Sequence, residues 1–214
     1  MAGRFDATVL RVLTHLGALI PLAVLLTDFA GGRLSVNPIE DVQLRTGRYA
    51  LLMLLLSLAA TPASRILRLP RIKPLRKTLG LYAFGYAGLH MLNFIGLDYR
   101  FDVTQIGDGI LEKPFVLAGI AALLALVPLA ITSTAGWRTR LGKKWPSLHR
   151  LVYLAIVLSL VHFTLQEKGD FTRPAMYGAA VAALLLVRLP LVRQVAEAVR
   201  ARFSMTARQR PPAG

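Results

Sequence analysis

Six stretches of the chain are almost continuously apolar, and the polar residues gather between them instead of alternating within them. They run roughly over 9–27, 47–67, 78–97, 114–131, 148–165 and 174–190. Each approaches or reaches the ~20 residues that a helix needs to cross ~30 Å of hydrocarbon. A helix of a soluble bundle keeps an apolar stripe with polar positions between its repeats. The stretch 117–131 has no polar face, which suits lipid on all sides. The second stretch is the least regular, because its dense part ends at Thr61-Pro62. No internal repeat or low-complexity linker is visible. The pattern predicts an all-α polytopic membrane protein, with a six-helix transmembrane domain over 1–192 and a basic tail over 193–214.

Composition agrees with the pattern. Hydrophobic residues make up 55% of the 214 and charged residues 17%, against about 25% charged in soluble domains. There is no cysteine, which excludes disulfides, thiol chemistry and iron–sulfur clusters. Redox chemistry on such a chain must come from a bound cofactor. No cleavable signal peptide is expected: the first stretch holds His15 and leads into Asp28 and Gly31-Gly32 without a small-residue cleavage site.

The net charge of +15 invites a nucleic-acid reading until the charges are placed. Arg65, Arg68, Arg71, Lys73, Arg76 and Lys77 follow the second stretch with no acid among them. Arg138, Arg140, Lys143, Lys144 and Arg150 separate the fourth from the fifth. Arg193, Arg200, Arg202, Arg208 and Arg210 lie in the tail against Glu197 alone. The connection 98–113 instead carries Asp98, Asp102, Asp108 and Glu112 against Arg100 and Lys113. Summed over alternate connections, one side holds 19 basic and 2 acidic residues, the other 7 and 9. That is the positive-inside asymmetry, and it puts both termini in the cytoplasm. The basic excess is a topology signal and a contact surface for anionic lipid, so no nucleic-acid partner is expected.

Within hydrocarbon, ionisable residues are the functional candidates. The helix interiors lack carboxylates, which argues against an ion-coupled transporter. They do hold histidines: His15, His90, His149 and His162. His90 lies about 12 residues into the third stretch and His162 about 14 into the fifth, ~18 and ~21 Å along helices that run the same way. Two imidazoles at one depth on separate helices are what a six-coordinate haem requires. Gly85, Ala87 and Gly88 beside His90 would admit a porphyrin, and tight helix packing explains them equally well. His149 sits ~20 Å before His162 along the axis, at the basic boundary. The third-stretch residues at its level are Arg76 and Lys77, neither an ordinary haem ligand. A second haem with an unusual partner, contact with a quinone or flavin, and a plain helix cap remain open for His149. His15 reads as a packing histidine. Tyr49, Tyr82, Tyr86, Tyr153, Trp137 and Trp145 read as interfacial or packing aromatics. Arg45 and Arg48, at the outer end of the second stretch, are expected beside haem propionates, since a guanidinium fork suits carboxylates.

Several motifs point further. Thr46-Gly47-Arg48-Tyr49-Ala50-Leu51, Leu79-Gly80-Leu81 with Leu89-His90, and Thr132-Ser133-Thr134 recur in one known family. The most specific is Leu141-Gly142-Lys143-Lys144-Trp145 followed by Leu148-His149-Arg150-Leu151-Val152-Tyr153-Leu154, with His162 one helix-length on. On these the chain resembles the MsrQ family of the ferric-reductase-like transmembrane superfamily, over nearly its whole length. The resemblance implies a haem b electron-transfer subunit of the bacterial inner membrane, not itself the catalytic reductase. It implies electrons from the quinone pool or a cytoplasmic flavin reductase. It also implies a periplasmic molybdopterin enzyme that reduces methionine sulfoxide in oxidised proteins, and an associated FMN. His90 and His162 carry over as ligands of the outer haem and His149 as a further haem-linked histidine. Unlike the superfamily's oxidases, the chain shows no flavin or nicotinamide domain and no dinucleotide-binding glycine fingerprint, so a separate donor is expected. Two other outputs compete: a membrane haem protein that reduces metal ions or oxygen, and a small transporter or structural protein with packing histidines.

Overall fold

The computed structural model describes residues 2–167 and 169–188, which contain helices and their connections and no strand. Nine α-helices follow one another among the described residues. They are α1 (Ala2–Ala30), α2 (Pro38–Ile66), α3 (Leu75–Leu92), α4 (Val103–Glu112), α5 (Pro114–Ile131), α6 (Ala135–Leu141), α7 (Trp145–Leu148), α8 (Leu151–Gln166) and α9 (Thr172–Leu186). Each of the six apolar stretches holds one long helix, and α5 occupies 114–131 as expected. By length and apolarity α1 (over Ala7–Ala30), α2 and α5 can each cross a membrane. The α6–α7 segment and α8 qualify together as one span bent by 51°, and α9 is a shorter apolar helix. The tail 193–214 and its arginines lie outside the described residues.

Two boundaries differ from the sequence reading and one holds across a proline, each for a local reason. First, α2 starts at Pro38, well before 47. Asn37 caps it by accepting the Glu40 N–H at 3.3 Å, Pro38 sits in the first turn, and Glu40 and Asp41 face the positive end of the helix dipole. Second, the same helix runs through Pro62 to Ile66. Pro62 has no N–H for the Leu58 carbonyl four residues back, and the Arg188 guanidinium donates to that carbonyl instead, the kind of repair that lets proline stay inside a membrane helix. Third, the connection 98–113, read as a loop, contains α4. The Asp102 carboxylate accepts the Thr104 and Gln105 N–H groups at 3.0 and 3.1 Å, and these bonds, those to Gln105 above all, hold its carboxyl below the usual range.

The hydrogen bonds between helices give the direction of each pair. Ser57 reaches the Arg76 carbonyl and His90 the Gln43 carbonyl, so α2 and α3 form an antiparallel hairpin. Thr132 meets His149 and His162 meets the Phe115 carbonyl, so α5 and α8 do the same. By contrast, α1 runs parallel to α3, since His15 meets Tyr82 and Tyr86 meets the Ala18 carbonyl. The core lies where the two hairpins face each other: Leu51, Leu54 and Leu58 of α2, Ala83 and Tyr86 of α3, Leu126 and Leu129 of α5, Ile156 and Phe163 of α8. Outside it, Leu13, Leu16, Ile20 and Leu26 of α1 and Leu117 and Leu124 of α5 are exposed. Large apolar side chains facing outward are the arrangement that lipid favours.

Candidate functional site: two histidines between two hairpins

Each hairpin contributes one histidine to the space between them. His90 of α3 and His162 of α8 face each other with ring centroids 5.8 Å apart and planes at 87°. Both rings are anchored in the same way. Nδ1–H of His90 donates to the Gln43 carbonyl at 2.9 Å, and Nδ1–H of His162 to the Phe115 carbonyl at 2.6 Å. A carbonyl can only accept, so each bond fixes the tautomer whose Nε2 carries the lone pair. The Gln43 side-chain amide lies 3.3 Å from His90 Nε2, donating to that same lone pair. Holding the outer nitrogen on a carbonyl is how proteins orient a metal-ligating imidazole.

Glycines make the anchoring possible. A Cβ on Gly47 would meet His90 Nδ1 and Cε1 at 3.0 Å, and one on Gly119 would meet His162 Nδ1 at 2.7 Å. Carbonyl, glycine and histidine therefore form one module used twice: Gln43, Gly47, His90 and Phe115, Gly119, His162. In both copies the histidine follows the carbonyl by 47 positions. Ala83 and Ala155, each seven residues before its histidine, are both 0% exposed. The hairpins are thus structural repeats, which the sequence reading did not find because the shared positions are sparse and set among interchangeable apolar residues. Gly119, Gln43 and Phe115 were missed for the same reason; a glycine in an unbroken apolar run was the available signal.

The cavity containing both rings is lined mostly by apolar residues, with Arg48, Ser159 and Gln166 among its few polar ones. Its enclosed volume is about 160 Å³, less than the roughly 300–1,000 Å³ of small-molecule sites. A porphyrin therefore fits only with its edges reaching the open flanks between the hairpins and with the Gln43 amide turned aside. The 5.8 Å between the ring centroids is close to the roughly 6 Å that two imidazoles sharing one metal through ~2 Å bonds would have. Two buried polar atoms lack partners, Arg48 Nε and Asn93 Oδ1. Arg48 lines the cavity and its Nε is a free donor for a carboxylate. Asn93 opens the π-helical turn Asn93–Asp98 directly after α3 and spends its amide on Gln43 Oε1 and the Ile39 carbonyl, at 2.6 and 3.2 Å. Among the described residues no group of three or more His, Cys, Asp or Glu comes together. His90 and His162 therefore suit a metal that brings its remaining ligands with it, as an iron porphyrin does.

The other expected residues lie elsewhere. Arg45 does not reach the cavity wall. It bonds Asp41 at 2.8 Å and Asp28 at 2.7 Å, tying α2 to the end of α1, and the expectation that it would meet a propionate is withdrawn. His149 sits at the basic end, stacked on Trp145 at 3.9 Å, its Nε2 3.0 Å from the Thr132 hydroxyl. Arg76 acts on it electrostatically, the α3 residue that depth had placed opposite. His15 meets the Tyr82 hydroxyl at 3.0 Å, on the outer side of α3.

An all-helical bundle with two facing histidines between hairpins is what the chain presents, and its sequence places it in a family. A family model described as "Ferric reductase like transmembrane component" matches residues 46–160, a span that contains Gly47, His90, Gly119 and His149 and stops just short of His162. A "Protein-methionine-sulfoxide reductase heme-binding subunit MsrQ" from Caulobacter vibrioides is 43% identical over 187 residues, covering 87% of this chain and 89% of that protein. Proteins of the same name are 44% identical in Rhodospirillum rubrum, over 86% and 89% of the two chains, and 40% identical in Herminiimonas arsenicoxydans, over 85% of each. The chain belongs to the ferric-reductase-like transmembrane family and, within it, to the MsrQ proteins.

Proposed function

We propose that this chain is the haem-binding electron-transfer subunit of a protein-methionine-sulfoxide reductase system. His90 and His162 would hold the iron of one haem b between them. Bound iron, alternating between ferric and ferrous forms, supplies a one-electron relay inside the bilayer. The observation that carries this reading is the facing pair, each ring keeping Nε2 as an acceptor because a carbonyl of the other helix in its hairpin takes its Nδ1–H. A pair of packing histidines has no need of matched tautomers. The names of the relatives support haem as the guest. Arg48 Nε is positioned to take a propionate.

The wider reading follows from charge. In this reading α1, α2, α3, α5, α8 and α9 are six spans of a bacterial inner membrane, with the basic connections and both termini on the cytoplasmic side. His90 is then about seven residues, ~10 Å, from the periplasmic end of its stretch, on the side of a periplasmic molybdopterin reductase. Electrons enter from the other side, from quinol or from a flavin reductase. His149, with Trp145 and Arg76, is a site there for a second haem, an FMN or a quinone.

The test is spectroscopic. Purified protein is expected to show a Soret band and a pyridine haemochrome of haem b, with a low-spin signal that disappears in both His90→Ala and His162→Ala. A variant at either position that keeps a full complement of six-coordinate haem removes this pair as the site.

A further inference from the structure

A second cavity lies on the outer side of α3, facing α1. His15 and Tyr82 line it, together with Leu19, Leu22, Leu81 and Gly85. It measures about 570 Å³ and is broadly open laterally, within the size of a small-molecule site, roughly 300–1,000 Å³. Its depth is intramembrane: His15 stands eight residues inside the α1 span that begins at Ala7, ~12 Å along the axis.

The polar side chains lining this groove are His15, Thr78, Tyr82 and Tyr86; Tyr86 donates its hydroxyl to the Ala18 carbonyl, and His15 Nδ1 and the Tyr82 hydroxyl are hydrogen-bonded to each other at 3.0 Å. Tyr82, with a hydroxyl that both donates and accepts, keeps capacity for a further bond, and His15 Nε2 has no partner among the described residues. A histidine exposed to lipid is costly and marks function by default. No charged residue lines the cavity, so its charge complement is a neutral head. A phospholipid, with its phosphate, does not match. The matching ligand dissolves in the bilayer, has a flat neutral head with hydrogen-bonding oxygens, and trails an apolar tail along the leucines into lipid. That chemistry is a quinone or hydroquinone.

The groove is also connected to the histidine pair. Tyr86 lines it and packs edge-on against Tyr49 at 5.5 Å. Tyr49 follows Arg48 and Gly47 of the first module. Tyr82 precedes His90 by eight residues on the same helix, ~12 Å along the axis.

We infer that the groove between α1 and α3 binds the head of a membrane quinone on His15 and Tyr82. This rests on the electron-carrier reading for its purpose and on the groove for its location. The experiment measures equilibrium binding of decylubiquinone to purified protein, with and without haem, for wild type and three variants. His15→Phe and Tyr82→Phe remove the polar contacts. Gly85→Leu fills the groove without touching them, since a Cβ at Gly85 meets nothing within 4 Å. Saturable binding by wild type, weakened at least tenfold in Gly85→Leu and in one of the other two, with the Soret band unchanged, is the expected result. Absence of saturable binding, or binding equal in all four proteins, overturns the site. Haem content separates the two readings: a chain that loads haem on His90 and His162 yet binds no quinone keeps the carrier and loses the groove. One that binds quinone here but no haem does the reverse.

Discussion

At the scale of single residues, the two anchoring glycines are unequal, and the inequality is testable. A methyl at Gly119 would meet a ring nitrogen at 2.7 Å, one at Gly47 at 3.0 Å. Crowding of this kind costs about 1–3 kcal/mol, and the His162 ring cannot retreat without leaving the Phe115 carbonyl. Gly119→Ala is therefore expected to lower thermal stability more than Gly47→Ala and to lose more haem on purification. Equal loss in the two would mean the rings move freely. Arg48 gives a second test. If its free Nε meets a propionate, Arg48→Gln lowers the haem midpoint potential, because a nearby positive charge favours the reduced iron. An unchanged potential in a redox titration argues against the contact. The histidines were legible in the sequence because depth can be counted along a helix. Their carbonyl partners were not, because a backbone acceptor leaves no mark on residue identity and Phe115 looks like any other lipid-facing phenylalanine.

Elements divide in the same way between what the chain displays and what only packing decides. The six long helices were legible because lipid imposes an unbroken apolar requirement. Their ends were less so: Asn37 and Asp102 begin helices through side-chain caps, and α2 passes Pro62 with help from Arg188. The α4 cap makes a prediction with a pH sign. The Asp102 carboxyl is held below its ordinary value of 3.8 by bonds to Gln105 and Thr104. Its contribution is thus complete above that ordinary value and disappears as pH falls below it, through the depressed folded value. Amide exchange at Thr104 and Gln105, corrected for intrinsic rates, is expected to accelerate across that acid window in wild type. In Asp102→Ala it should be fast at every pH. A wild-type profile as flat as that of the variant would show that the cap does not hold α4.

For the molecule as a whole, α4 and its flanks carry Asp98, Asp102, Asp108 and Glu112, and on the proposed function they are the expected docking surface for a periplasmic partner. Asp102 is committed to its cap, so the residues to neutralise are Asp98 and Asp108. Together, Asp98→Asn and Asp108→Asn are expected to slow electron delivery several-fold with the haem spectrum unchanged, and raised ionic strength should slow wild type likewise. Delivery indifferent to both would place the partner elsewhere. The twofold module has a further consequence at this scale. Two hairpins that present the same backbone acceptor, the same glycine and the same imidazole from opposite sides do not, by themselves, distinguish one face of a flat guest from the other. One mark that differs stands one residue after each glycine: Arg48 in the first hairpin, Ile120 in the second, both on the cavity wall. If the proposed haem gives a propionate to that guanidinium, the contact helps to choose between seatings related by a half-turn. Arg48→Gln is then expected to double the haem methyl resonances where wild type gives a single set.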